Sequence, residues 1–274
     1  MRKTANPKND ASSVLPLSPA SVAGLVSFWD FAEQAGKPRV ARGGSPVKLR
    51  EGAGPVRRTE TGVFGPYAAE LRRGDFFFIP CEECDALSPE HLTIVAWVLR
   101  RRKPETQCEA VAGIWNESLS QRRYGLFIDL RIRGGADGVG GHVSGTGTAT
   151  PGNEWCMEAA IGAEPVHHGR WHCLAFTYDG REVRAYLDGL FDPNPGVNPF
   201  VTPYSRLHGS TADFTVGAVH RLGEMGNWFC GLIAGLAVYD HALTPQEILG
   251  LSLPRPVLAA RHSTAPRRRK ALVS

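Results

Sequence analysis

From about residue 21 onward the hydrophobic positions fall in short bursts rich in aromatic and β-branched side chains, separated by clusters of Gly, Pro, Asn and Asp. The bursts Leu25–Phe31, Tyr67–Leu71, Phe76–Ile79, Leu92–Leu99, Ala110–Trp115, Tyr124–Arg131, His172–Tyr178, Val183–Asp188, Phe214–Ala218 and Gly231–Tyr239 read as strands. In the fourth, Leu92, Ile94, Ala96 and Val98 fall on one face while Val95 and Trp97 share the other with Thr93, so both faces are expected to be covered. Asp179-Gly180 between two of the bursts is a strong short hairpin signal and pairs His172–Tyr178 with Val183–Asp188. One helix is predicted over Thr244–Leu251, with Thr244 as N-cap, Pro245 at the first helical position and Glu247 closing a capping box, ending near Gly250. About ten strands and a single short helix predict an all-β, two-sheet antiparallel sandwich.

The ends differ from this body. Residues 1–20, rich in Pro, Ser, Asn and Ala, and residues 253–274, with three prolines and the run Arg267-Arg-Arg-Lys270, are expected to be disordered, leaving 21–252 as one domain. The chain has 274 residues, 42% hydrophobic and 21% charged, which excludes disorder throughout. Its net charge of +4 divides into +2 for residues 1–20, +6 for 253–274 and −4 for the body. The basicity is therefore a property of the ends. No nucleic-acid motif or interleaved aromatic accompanies the arginine run, so no nucleic-acid partner is predicted. The apolar run from Leu92 stops at Arg100, short of the roughly 18 residues that span a bilayer, and no membrane association is predicted. The basic start, Met1-Arg2-Lys3, has no hydrophobic region after it, so no secretory signal is recognised.

In order and spacing, Leu25-Val-Ser-Phe-Trp-Asp-Phe31, Ala69–Pro80 and Leu92-Thr-Ile-Val-Ala-Trp97, then Trp171–Gly180, Val183–Gly189, Phe214–Ala218 and Phe229–Ile248, resemble the laminin-G-like jelly roll of the concanavalin A-like superfamily. The resemblance covers about residues 21–252. It implies two curved antiparallel sheets with rim loops that bind glycans or calcium, and an extracellular or periplasmic setting that the missing signal opposes. It does not choose a function, because that superfamily holds lectin modules, protein-binding modules, glycoside hydrolases and polysaccharide lyases. One departure from the common pattern is the Gly-rich stretch 134–152, read as a long loop and hence a candidate functional element.

Three places carry candidate chemistry. His142, in the Gly-rich stretch, titrates near neutral pH in its ordinary state, but has a plainer reading as a strand histidine bonded to a loop carbonyl. The segment Val219–Asn227 packs His220, Arg221, Glu224 and Asn227 into nine residues, either as a ligand-binding rim loop or as a polar hairpin with an Arg–Glu pair. Trp115 and Tyr124 would stack on sugar rings while Asn116, Glu117 and Arg123 bond hydroxyls or a carboxylate; the alternative is that the aromatics close the sandwich edge. The Gly-rich stretch and the 219–227 segment are expected to meet over one sheet.

The leading expectation is a carbohydrate-binding domain for a glycan or polysaccharide, with these ten residues lining the site. A protein-interaction module is the third class, after an enzyme on the same scaffold. The alternating acidic strand motif of the family's hydrolases is absent, which lowers that reading. A lyase would need a base and a carboxylate-neutralising partner; as an enzyme, His142, Tyr124, His220 and Glu224 are the catalytic candidates. Calcium is left open, with Asp30, Asp137 and Asp240 as hard oxygen donors. The CxxC at Cys81–Cys84 lacks a second pair for zinc, and His168 and His172 are expected to face solvent, with Trp171 and Cys173 pointing inward.

Overall fold

The computed structural model describes residues 15–34 and 37–252; of the segments expected to be disordered, 1–20 and 253–274, residues 1–14 and all of the second lie outside the described residues. The strands are β1 (Leu25–Trp29), β2 (Arg39–Val40), β3 (Lys48–Glu51), β4 (Arg57–Thr59), β5 (Ala68–Leu71), β6 (Phe77–Ile79) and β7 (Leu92–Arg100). They continue with β8 (Glu109–Asn116), β9 (Gln121–Ile128), β10 (Val139–Val143), β11 (Ala159–Ile161), β12 (Trp171–Tyr178) and β13 (Glu182–Leu187). The last are β14 (Leu190–Phe191), β15 (Phe200–Val201), β16 (Phe214–Val216), β17 (Val219–Arg221), β18 (Glu224–Gly226) and β19 (Gly231–Tyr239), followed by helix α1 (Pro245–Ser252).

They form two sheets. The first runs β14-β13-β12-β7-β19-β5-β4, with β1 on β19 and β15 on β13; the second runs β11-β10-β9-β8-β16-β6-β3-β2, with the β17–β18 hairpin attached to β8. The pairing of sequential strands is antiparallel, so the described residues form the expected two-sheet sandwich, with one α-helix among them. The main core lies between the sheets and includes Leu92, Ile94, Ala96 and Val98 from β7 with Leu126, Ile128, Val139 and Val143 from β9 and β10. On the other face of β7, Val95 and Trp97 are covered by Val22, Leu243, Ile248 and Leu251. The alternation read from Leu92 to Val98 thus reports a central strand buried on both faces.

The helix begins as its cap residues require. Thr244 Oγ1 accepts from Glu247 N at 3.3 Å and Glu247 Oε2 accepts from Thr244 N at 2.8 Å, a reciprocal capping box. The predicted hairpin forms with Tyr178 opposite Val183. Leu17 to Ser21, which the sequence reading places largely in the terminal segment, are held against the sandwich: Leu17 N donates to Gly250 O at 2.8 Å and Tyr239 OH to Pro19 O at 3.1 Å.

Two local readings are corrected. The Gly-rich stretch is not a continuous loop, because Val139–Val143 is a fully buried strand hydrogen-bonded between β9 and β11. Its glycines permit close packing: a Cβ on Gly141 would lie 2.6 Å from Phe176 Cβ across the sandwich. His172 is 2% exposed, not solvent-facing. It shares its side of β12 with the core residues Leu174, Phe176 and Tyr178. Its Nδ1 is 2.8 Å from Asp188 Oδ2, while Arg170 Nε donates to its Nε2.

Candidate functional site

The outer face of the second sheet carries a separate apolar cluster, Ala110, Trp115, Phe127, Leu130, Cys156, Ala159, Ile161 and Val219. Strand register explains its shape. Gly113, Gly125, His142 and Ala159 stand opposite one another across β8, β9, β10 and β11. A Cβ on Gly125 would fall 2.5 Å from Phe127 Cε2, so the missing side chain lets the Phe127 ring lie over the strand. The ring centroids of Trp115 and His142 are 4.2 Å apart, and those of Phe127 and His142 5.7 Å.

Above this floor opens a cavity of about 190 Å³. Its lining includes Trp115, Glu117, His142, Arg221 and Asn227, five of the ten residues expected from sequence, together with Trp155, Cys156 and Arg131. The β17–β18 hairpin is hung on the end of β8, with His220 opposite Asn116 and Glu117 N donating to His220 O at 2.9 Å. That attachment brings Arg221 to the cavity. Arg221 Nη1 donates to Asn227 Oδ1 at 2.9 Å, its Nε lies 3.9 Å from Glu117 Oε2, and its guanidinium stands 5.3 Å from the Trp155 ring centroid. Glu117 Oε1 also accepts from the Trp115 indole at 3.2 Å. Asn227 holds a left-handed backbone, φ 53°, which Asn tolerates better than most residues.

The protonation of His142 follows from geometry. Its Nε2 is 2.8 Å from Cys156 O, and a carbonyl only accepts, so Nε2 carries the proton and Nδ1 keeps its lone pair. Nδ1 is buried without a hydrogen-bond partner, and Nε of Arg221 likewise makes no hydrogen bond, its distance to Glu117 being that of an ion pair. Burial pushes the imidazole down to about 3, despite the Cys156 bond. The cavity is thus lined by an uncharged imidazole, two arginines (Arg131 and Arg221), the carboxyl group of Glu117, two side-chain amides (Gln107 and Asn227) and two indoles. The thiols of Cys156 and Cys108 are pushed up by burial, to about 11 and about 12, and stay protonated.

The other expected residues lie elsewhere. Tyr124 alternates with Gly125 on β9 and so points into the inter-sheet core, where its hydroxyl donates to Leu87 O at 2.6 Å. Arg123 is the extra residue of a register shift, since Ile114 pairs with Tyr124 and Trp115 with Arg122. Its guanidinium donates to the carbonyls of Ser88, Pro89 and His208, tying two loops together. Asn116 Oδ1 accepts from Leu119 N in a turn. Neither Asn116, His220 nor Glu224 lines the cavity, and Glu224 is exposed on the hairpin. Arg221 finds its carboxylate in Glu117 of β8's continuation, not in Glu224. Trp155 escaped the sequence reading, although a lone tryptophan in the polar run Pro151-Gly-Asn-Glu-Trp155 was a signal of an aromatic held at the surface. The open calcium candidates are separately engaged: Asp30 with Arg42, Asp137 with Arg100 and Asp240 with His241. No group of three or more His, Cys, Asp or Glu side chains suited to a metal occurs among the described residues. No described helix is long and apolar enough to cross a membrane.

A family model for the concanavalin A-like lectin/glucanases superfamily matches residues 79–249. The chain belongs to that superfamily. A search of curated protein sequences finds no match. Among solved structures, this concanavalin A-like chain is similar to domain 4 of AbnA, an extracellular arabinanase from Geobacillus stearothermophilus in complex with arabinotriose. The identity is 17% and the TM-score 0.54, over 84% of this chain and 98% of that one. It is also similar to Trypanosoma rangeli sialidase, at 16% identity and TM-score 0.54 over 89% of this chain and 36% of that one. The receptor binding domain of a botulinum neurotoxin of mosaic serotype C/D matches at 10% identity and TM-score 0.58, over 84% of this chain and 50% of that one. At these identities the likeness is one of fold.

Proposed function

We propose that this concanavalin A-like domain binds carbohydrate, and that the cavity beside Trp155 takes a terminal sugar unit of a glycan or polysaccharide. The observation that carries the reading is the unpartnered Nδ1 of the buried His142 beside Trp115 and Trp155. An acceptor lone pair in an aromatic-walled cavity suits a sugar hydroxyl, and the indoles suit the apolar face of the ring. At about 190 Å³ the cavity is below the roughly 300–1,000 Å³ of sites for drug-sized ligands, which favours one sugar ring over a chain. Arabinotriose in the AbnA domain and sialic acid in the sialidase are sugars bound by proteins of related fold, and they support the class of ligand, not its identity.

Binding is favoured over catalysis by the same geometry. A histidine pushed down to about 3 is a poor base for abstracting a carbon-bound proton near neutral pH. Glu117 is the single carboxylate among the described residues lining the cavity, whereas glycoside hydrolysis needs two flanking the bond. A glycan array with the full chain, repeated with Trp155→Ala and Arg221→Ala, tests the proposal. Both side chains sit at the rim, so the fold is expected to survive their removal. Loss of about tenfold or more in affinity for the bound glycan is expected from either variant. Binding retained unchanged in both would place the site elsewhere.

A further inference from the structure

β2 and β3 end the second sheet on the side away from the cavity, and β4 ends the first. A cleft of about 470 Å³ opens where these edges face each other. Arg39 stands opposite Leu49, Glu51 opposite Phe77 and Arg58 opposite Ala69. Directly opposed residues share a face, and Leu49, Phe77 and Ala69 are all core residues, so Arg39 and Arg58 turn inward from opposite sheets. Five cations, Lys37, Arg39, Lys48, Arg50 and Arg58, line the cleft against one carboxylate, Glu51, in a body whose net charge is −4. Arg50 is already paired with Glu83.

Arg39 is the informative residue. Its side chain is 4% exposed, its guanidinium lies 4.6 Å over the Phe77 ring, and Nη1 donates to Glu51 Oε1 at 2.5 Å. Its Nε and Nη2 have no partner. Those two N–H groups form one edge of the planar guanidinium and point the same way, at the spacing of two oxygens of one oxyanion. From the other sheet, Arg58 donates through Nη2 to Lys37 O at 3.0 Å and leaves Nε unpartnered. Glu33 is the nearby competitor, but its Oε2 is also buried without a partner, and burial raises its carboxyl pKa.

We propose that this cleft is an oxyanion site, in which the free edge of Arg39 holds two oxygens of a carboxylate, sulfate or phosphate group and Arg58 approaches from the facing sheet. The group arrives as a free inorganic anion or as the acidic substituent of a sugar. Isothermal titration of the full chain at low ionic strength, with sulfate, phosphate, glucuronate and neutral glucose as probes, tests it. At least one of the three anions is expected to bind, because surface charge is little screened under those conditions. Tighter binding of glucuronate than of the inorganic ions assigns the site to an acidic sugar, and the reverse order to a free ion. Arg39→Lys keeps the charge but loses the two-pronged edge, and is expected to weaken binding about tenfold. Arg58→Lys is expected to weaken it less, and decides the matter if thermal unfolding shows Arg39→Lys misfolded. The basic termini remain in every variant, so only the difference from wild type counts. Trp155→Ala should leave anion affinity unchanged, which separates this cleft from the sugar cavity. Absence of binding by all three anions to about 10 mM at low ionic strength, or affinity unaltered in both arginine variants, would overturn the proposal.

Discussion

Replacing Gly141 by alanine adds one methyl group in the middle of β10, and its consequence follows from the sandwich spacing. The new Cβ would lie 2.6 Å from Phe176 Cβ and 2.7 Å from its Cγ. These atoms sit next to the β12 backbone and cannot swing aside as the end of a long side chain would. Phe176 is 0% exposed and β10 is hydrogen-bonded on both edges, so neither strand has an easy escape. Relief to the ordinary carbon–carbon contact of roughly 3.5–4.0 Å requires the sheets to part locally by about 1 Å. Overpacking of this kind costs about 1–3 kcal/mol, and the reduced freedom of the unfolded chain returns about 0.4–1 kcal/mol. The net expectation is a loss of about 1–2 kcal/mol. Gly209→Ala supplies the control: it is exposed, a Cβ there meets nothing within 4 Å, and its backbone does not need glycine. It should be neutral or slightly stabilising. Urea unfolding of both variants, compared at equal m-value, measures the difference. A Gly141→Ala protein as stable as Gly209→Ala would refute the close-packed reading of the Gly-rich stretch.

Three further outcomes are expected. Because His142 is held neutral in the fold and titrates near its ordinary 6.5 when unfolded, the unfolded state takes up a proton first as pH falls, so stability is lost between about pH 6.5 and 3. The loss approaches about 1.4 kcal/mol per pH unit for this one group, and the difference between wild-type and His142→Gln unfolding profiles over that window should show it; parallel profiles would contradict it. Arg100→Ala leaves Glu109, 1% exposed, without the guanidinium that lies 2.9 Å away, and should cost about 3–5 kcal/mol in denaturant unfolding. Deleting residues 1–14 and 253–274 should leave a folded domain of net charge −4, whereas deletion through Ser21 should lower the melting temperature further by removing the Leu17 and Pro19 contacts, as calorimetry would read.

The sandwich was legible because its strands advertise themselves. Leu92–Val98 shows a period of two with apolar residues on both faces, Asp179-Gly180 turns a hairpin, and Thr244-Pro245 with Glu247 starts a helix, each a local physical signal. β10 was not legible, because its Val-Gly-Gly-His-Val sequence has too few side chains to register as a strand. Gly141 makes room for Phe176 across the gap, a contact 35 positions away in sequence, and Gly140 for Leu130 on the outer face of the sheet. Half of the ten residues expected from sequence line the cavity, for a related reason. Trp115, Glu117, His142, Arg221 and Asn227 meet because the β17–β18 hairpin attaches to the end of β8. Tyr124 and Arg123 diverge because strand alternation and a single extra residue in β9 set their directions. The cleft at Arg39 gave no sign in sequence, since its arginines come from opposite sheets and are separated by 19 positions along the chain.

The most direct test of sugar binding at the Trp155 cavity is a nuclear magnetic resonance titration of the full chain, following the indole N–H signals of Trp115 and Trp155 and the ring of His142 against a panel of neutral and acidic glycans. At least one glycan should shift all three groups together in a saturable way, and Arg221→Ala should abolish or weaken that response. Indole and imidazole signals that stay still across the whole panel, or a saturable response confined to another surface, would contradict the proposed function.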